Sequence, residues 1–285
     1  MRRTTLVAAA GIALAMCAAG CRQEVPESNA PHPRMVTFSP ALTRIVFDMG
    51  FGDHVVGVTT YCRPPKGEKR TIVGDNLNVR VEPILAVKPD MMLVQMELKY
   101  FEPLRRVNPD VHIEHFTIEK LEDIGAAMER IGTLVGEPET GRAKKQEFLD
   151  RLETLRKRTE KLERVPTLFV LGYQNPSGPG RETFIDEMIT LAGGRNVLAE
   201  QYKGWATPSL ETVVRTSPAV IICQTNVSEE PEAAAYWKAL RLGSKNAQRV
   251  ITVTDDDWTL PADHLADYVG QMAEFIHPEL KEGSR

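Results

Sequence analysis

Four cysteines among 285 residues are too few for a disulfide framework, and aromatic residues make up only 6% of the chain. The first of the four, Cys17, lies in an apolar stretch near the start. No segment beyond residue 20 is apolar for 18 residues, so nothing there reads as a membrane-spanning helix. There is no basic stripe, and the formal charge of −4 argues against a nucleic-acid partner. A Gly-x-Ser-x-Gly elbow and a His-Glu-x-x-His helix are both missing. Ser39, Ser209 and Asp186 are present, but they do not assemble a nucleophile, base and orienter from sequence. An exported hydrolase is therefore a remote alternative, and no enzyme is expected. The six histidines give no metal motif. His112 and His115 lie three apart in a candidate strand, which puts them on opposite faces; His32, His54, His264 and His277 are scattered.

What is present begins at the first residues. Met1-Arg2-Arg3 is basic, and Leu6 to Ala19 is apolar but shorter than the roughly 20 residues a spanning helix needs. Small residues then lead into Ala18-Ala19-Gly20-Cys21. A basic start, a short apolar core and a small-residue cut site describe a secretory signal over residues 1–20. The cut site resembles a bacterial lipobox, which implies that Cys21 carries lipid and anchors the chain to a membrane. Residues 21–34 hold Pro26, Ser28, Asn29, Pro31 and Pro33 and little that packs, so they read as a tether. Removing residues 1–20 takes away two arginines and no acid. That leaves 33 basic and 39 acidic residues, a charge of −6. An exported compartment permits a disulfide between Cys62 and Cys223; two separate thiols are favoured, because the pair lies in different halves.

The remainder reads as α/β, with parallel sheets covered on both faces. Residues 35–137 form one expected lobe. Its strands are Val36–Phe38, Val55–Val58, Met91–Val94 and Val111–Ile113, with amphipathic helices over Leu42–Met49 and Leu121–Val135. Residues 165–285 form a second. Its strands are Leu168–Leu171, Val220–Cys223 and Val250–Val253, with helices over Thr183–Leu191, Ala233–Leu240 and Ala262–Ile276. Between them, residues 138–164 are charged and carry one apolar stripe of Phe148, Leu152, Leu155 and Leu162. Pro138 suits a helix start and Pro166 stops one, so this is a single long helix whose stripe lies across both lobes. A coiled-coil dimer would need sustained heptads, and Thr159 interrupts the stripe, so a monomer is expected.

An internal repeat supports two similar lobes. Residues 81–95 overlie residues 210–224 without a gap: each has Glu82 or Glu211, then Pro89 or Pro218, an apolar strand, and Gln95 or Gln224. Acids in the first turn of a helix suit its dipole.

This organisation resembles the periplasmic substrate-binding proteins of the long-backbone-helix class, which feed ABC importers of vitamin B12, haem and ferric siderophores. The residues that carry the resemblance are Phe38-Ser39-Pro40 through Ile45, Gly52-Asp53-His54 through Cys62, Val81 through Asp90, and Ser209-Leu210-Glu211. It implies two Rossmann-like lobes joined by one long helix, with ligand held between them and no chemistry performed. The partners it implies are an ABC permease with its ATPase, which Glu82 and Glu211 would meet, and a small transported molecule. The periplasm or the outer face of the cytoplasmic membrane is the implied location. Tyr61, Tyr100, Phe101, Tyr173, Trp205 and Trp258 are the candidate ligand contacts, because aromatic faces suit a flat macrocycle. Val58 to Cys62 resembles the segment that sets a Tyr against the corrin in the B12-binding members, and Trp205 matches their cleft Trp. Arg63-Pro64-Pro65 departs from that pattern. The expected cargo is cobalamin or another corrinoid, with no catalytic cofactor. Haem is the next alternative, with Tyr61, Tyr173 or His264 as axial ligand. A ferric siderophore, for which Arg63 and Arg80 are few partners, follows.

Overall fold

The computed structural model describes residues 33–75, 78–240 and 249–282. The expected signal peptide over residues 1–20, Cys21 and nearly all of the expected tether lie outside these residues.

Chain order explains the first sheet. β1 (Met35–Thr37) leads into α1 (Pro40–Asp48), where Ser39 caps the helix by accepting from the Leu42 amide and Pro40 pre-sets the first turn. Then follow β2 (Val55–Thr59), β3 (Thr71–Gly74), α2 (Val81–Ala86), β4 (Met91–Val94), α3 (Glu102–Val107), β5 (His112–His115) and α4 (Leu121–Leu134). The five strands are parallel, in the order β3-β2-β1-β4-β5. All four residues of β4 are buried, as expected of a parallel strand covered on both faces. Met91 and Leu93 pack on one face, Met92 and Val94 on the other.

α5 (Pro138–Thr159) crosses to the second sheet. Its 22 residues make a rod of about 33 Å. It ends five residues before the expected 164, so Leu162 lies beyond the helix. Thr159 belongs to the buried stripe with Phe148 and Leu152, contrary to the expectation that it breaks the stripe. Its hydroxyl donates to the Leu191 carbonyl at 2.6 Å, which satisfies the polar atom inside the core. α5 packs along α4 on one side and on elements of the second lobe on the other.

The second lobe contains β6 (Val165–Leu171), β7 (Gly178–Pro179), α6 (Phe184–Leu191), β8 (Gly194–Asn196), β9 (Trp205–Ala206), α7 (Leu210–Thr216), β10 (Val220–Gln224), α8 (Glu230–Ala239), β11 (Arg249–Val253), α9 (Leu265–Ile276) and α10 (Glu279–Glu282). Its main sheet runs β11-β10-β6-β8, all parallel, and β7 pairs antiparallel with β9. Read from β8, the order β8-β6-β10-β11 reproduces β2-β1-β4-β5. The repeat seen in sequence is thus a repeat of topology. It extends to a backbone detail: Lys88 and Ser217, at equivalent places, both adopt left-handed φ, of 45° and 48°. β3, β8 and the β7/β9 pair were not expected; they are short, and β7 holds only Gly and Pro.

One apolar cluster runs through both lobes. It holds Leu42, Leu93, Ile124 and Met128 from the first, Phe148 and Leu152 of α5, and Ile185, Ile222, Trp258 and Val269 from the second. The other face of each sheet has its own cluster. The long helix is therefore a shared part of the core.

Candidate ligand cleft and docking face

Open parallel sheets bind ligands beyond the carboxyl ends of their strands. In the first lobe those ends release the segments at Thr60–Pro64 and Gln95–Leu98. In the second they release Gly172–Asn175, Thr225–Asn226 and Asp255–Thr259.

Two ion pairs join these rims. The Arg63 Nη2 atom meets Asp256 Oδ2 at 2.7 Å, and Arg44 Nη1 meets Asp257 Oδ2 at 2.9 Å. Arg44 is also held by Asp48 at 2.7 Å. The acids lie on a single 3₁₀ turn, Asp256–Thr259. Asp255, at its cap, accepts from the Asp257 amide at 3.0 Å and from the Tyr268 hydroxyl. Burial works to raise the Asp255 pKa, but these hydrogen bonds prevail and hold it below its usual value. On the α4 side, Glu187 of α6 accepts from the Leu121 amide at 2.7 Å and so caps α4 from the other lobe. Burial raises the Glu187 pKa.

The candidate aromatics divide. Tyr61 is 59% exposed and stands two residues before Arg63, on the rim that reaches the second lobe. Trp205 is 42% exposed and is fixed by the β7/β9 pair, through Pro179. It lines an inter-lobe cavity of about 430 Å³ with Ile118 and Glu119 from the first lobe and Thr183, Phe184 and Lys203 from the second. Tyr100 is exposed, with the Lys99 ammonium 5.1 Å from its ring centre. Tyr173 is half-buried, leaning on Tyr236 of α8 with ring centres 5.8 Å apart.

Phe101 and Trp258 are corrections to the candidate set. Phe101 is 0% exposed and packs edge-on against Phe38, centres 5.4 Å apart. Trp258 is 2% exposed, stacked on Phe275 and met edge-on by Tyr268. Each follows a strand, as a cleft residue would, but lies on a 3₁₀ turn that rotates its ring into the core. His264 is likewise buried, with Nε2 directed at the Asp257 carbonyl at 2.9 Å, which removes it as a haem ligand. His112 is committed to Glu114 at 2.8 Å, while His115 is exposed. Among the described residues no group of His, Cys, Asp or Glu could hold a metal ion, and no helix is long and apolar enough to cross a membrane. Cys62 and Cys223 are separate buried thiols, and burial pushes Cys223 up to about 11.

Glu82 and Glu211 occupy the first turns of α2 and α7, and both side chains are exposed. Beside Glu211 the same helix exposes Leu210 and Val214. Their counterparts beside Glu82 are Val81 and Leu85, both partly buried.

Sequence reasoning missed Arg44, Asp256, Asp257 and Glu187 as inter-lobe residues. A charge on a helix or turn carries no sign of a partner 66 to 213 residues away.

The model of the periplasmic binding protein family matches residues 35–246, which take in the first lobe, the long helix and the second lobe through α8. The chain belongs to that family. A vitamin B12-binding protein of Yersinia pestis (strain Pestoides F) is 26% identical over 206 residues, covering 72% of this chain and 74% of the relative. The structure of the periplasmic vitamin B12-binding protein of Vibrio cholerae is similar with a TM-score of 0.73 at 23% identity, covering 88% of this chain and 99% of that one. A periplasmic haem-binding protein of Pseudomonas aeruginosa also gives 0.73, at 21% identity, covering 87% and 93%. The two structures share the fold with this chain. As a member of the family, the chain is an extracytoplasmic binding protein rather than an enzyme.

Proposed function

We propose that this periplasmic binding protein is the lipid-anchored receptor of an ABC importer, and that it captures a corrinoid between its lobes. The observation that carries the reading is one exposed aromatic residue on each lobe: Tyr61, two residues before the rim arginine Arg63, and Trp205, in the inter-lobe cavity. Exposed rings beside a cleft have area left to bury, and a flat macrocycle is the ligand that two such faces hold best. The Yersinia relative, which is a vitamin B12-binding protein, supports the same choice. Tyr100 and Tyr173 complete the contact set. Cys21 holds the receptor at the membrane and raises its effective concentration near the permease.

Glu82 and Glu211 are the docking carboxylates. They recur at equivalent places in two topologically equivalent lobes, as a pseudo-symmetric permease with paired arginines requires. The exposed Leu210 and Val214 add apolar area to the same contact.

Titration calorimetry of the mature chain against cyanocobalamin and hemin tests the reading. Cyanocobalamin binds at micromolar concentration or tighter, and Tyr61→Ala and Trp205→Ala each weaken it about tenfold or more. Tight binding of hemin alone, with a shift of its visible spectrum lost in Tyr61→Phe, would transfer the function to haem.

A further inference from the structure

The inter-lobe cavity of about 430 Å³ is lined by Ile118 and Glu119 of the first lobe and by Glu182, Thr183, Lys203 and Trp205 of the second, among others. A volume at the small end of the range for ligand pockets takes one edge of a macrocycle rather than the whole. The strand registers explain how Glu119 comes to stand there. Val94 and Cys223 hold the same place in the sequence repeat, and they pair with His115 and Thr252. Four residues beyond these partners lie Glu119 and Asp256. The two lobes therefore present an acid at equivalent places on the two edges of the cleft.

The two acids are neutralised differently. Asp256 is met from the other lobe by Arg63 at 2.7 Å. The Glu119 carboxylate has no ion pair and no hydrogen bond among the described residues; only its backbone amide is engaged, donating to Asp123 at 3.0 Å. The adjacent Lys120 is drawn to Glu122 at 3.7 Å. Lys203 is the one cation lining the cavity among the described residues, and it is tied to Glu182 of its own lobe at 2.7 Å. That bond holds the Glu182 pKa below its usual value, so this carboxylate stays ionised too. The lining thus sets two carboxylates against one ammonium.

A ligand group beside Trp205 therefore meets the free carboxylate of Glu119, which accepts hydrogen bonds and donates none. A primary carboxamide can donate to it, and the corrin periphery is lined with primary carboxamides. A ligand carboxylate, such as haem carries, is repelled by it. Such a group could use Lys203 only by taking it from Glu182, which exchanges one ion pair for another. We propose that Glu119 is a charge filter at the Trp205 end of the cleft, which admits ligand edges built of neutral amides and turns away edges that carry carboxylates. The proposal rests on the corrinoid reading above and names the residue that sets its specificity for charge. Glu119 is exposed, so the discrimination is several-fold and sensitive to salt.

The test uses the mature chain with cyanocobalamin and its b-, d- and e-monocarboxylic acids, in each of which a single side-chain amide is hydrolysed to a carboxylate. Ring, metal and size stay the same. Calorimetry reads, for each isomer, the ratio of its dissociation constant to that of cyanocobalamin. In dilute buffer the isomer whose acid lies at Trp205 binds the unmodified chain about threefold weaker or more, and the penalty fades at about 0.5 M salt. Glu119→Gln keeps the shape and an acceptor and removes most of that penalty. Glu119→Lys turns it into a preference, while the other isomers keep their ratios. A thermal melt of each variant is the folding control, and Glu119→Gln decides alone if the lysine variant is destabilised. Ratios that are the same for every isomer with and without the Glu119 charge overturn the filter and leave the corrinoid function standing. Failure of the unmodified chain to bind cyanocobalamin overturns the corrinoid function and the filter with it.

Discussion

Glu114 illustrates how a single charged residue becomes structural. Burial works to raise its pKa, but hydrogen bonds from His112 and Arg130, the latter through Nε at 2.6 Å and Nη2 at 2.9 Å, prevail and hold it at about 2. A depressed folded-state pKa contributes stability that is present above the unfolded value of 4.5 and is lost as pH falls through about 2. Glu114→Gln should remove up to about 3 kcal/mol of stability at neutral pH and flatten the acid limb between about pH 4.5 and 2. Urea melts at pH 7, 4 and 2.5 read this directly, and a parallel loss at all three would show that the carboxylate charge is not the cause. At the same scale, Phe101 and Trp258 show the limit of residue-type arguments. An aromatic ring just past a strand is a fair cleft candidate, but a 3₁₀ turn decides which way it faces. Tyr61 and Trp205 differ from them in remaining exposed, which sequence cannot disclose.

Among the elements, α4 and α5 depend on a glycine crossing. A Cβ on Gly132 would stand 2.6 Å from Gly141 Cα and 2.8 Å from the Glu137 carbonyl oxygen. Both obstacles are backbone, so neither can rotate away. Gly132→Ala should force the helices apart and lower stability by about 1–3 kcal/mol, with a matching fall in Tm in calorimetry. Because α5 is shared by both lobes, the melt should remain a single transition; two separated transitions would mean that the lobes unfold independently. The strand-and-turn units carry the opposite opportunity. Ser217 holds left-handed φ at the helix end before Pro218, where glycine has no Cβ to object. Ser217→Gly should raise stability by up to about 1 kcal/mol, and its repeat counterpart Lys88→Gly should do the same. A drop in Tm for either would remove backbone strain as the cost at that site.

At the scale of the molecule, the lobes meet through one continuous core and a rim of ion pairs. Arg63 and Asp256 are largely exposed, and such a pair is worth about 0–1 kcal/mol at ordinary salt, so it is a latch that opens readily. Arg44 and Asp257 are more sheltered. Removing both arginines in Arg44→Ala/Arg63→Ala should speed ligand association several-fold in stopped flow and abolish most of its salt dependence. An unchanged rate would show that the rims do not gate entry. Loss of permease-dependent uptake in Glu82→Ala/Glu211→Ala, with affinity for the ligand intact, is the expected signature of docking. Intact uptake would leave the two acids as helix-dipole partners alone. Cys21→Ser should move the protein from the membrane to the soluble fraction.

Much was legible before any coordinates, because local physics wrote it. Apolar strands of four or five residues, capped amphipathic helices and the Glu-to-Gln repeat marked an α/β chain of two similar lobes. The charged stretch opening at Pro138 marked the helix between them. These depend on periodicity and on residues close in sequence. What the tertiary structure decided is the contact between distant residues: Arg63 with Asp256, Glu187 capping α4, Thr159 closing onto Leu191, and Glu119 sharing a cavity with Trp205. Each joins positions that nothing local connects. Facing, pairing and burial are set only when the two lobes close around the shared helix, and ligand choice rests on those three properties.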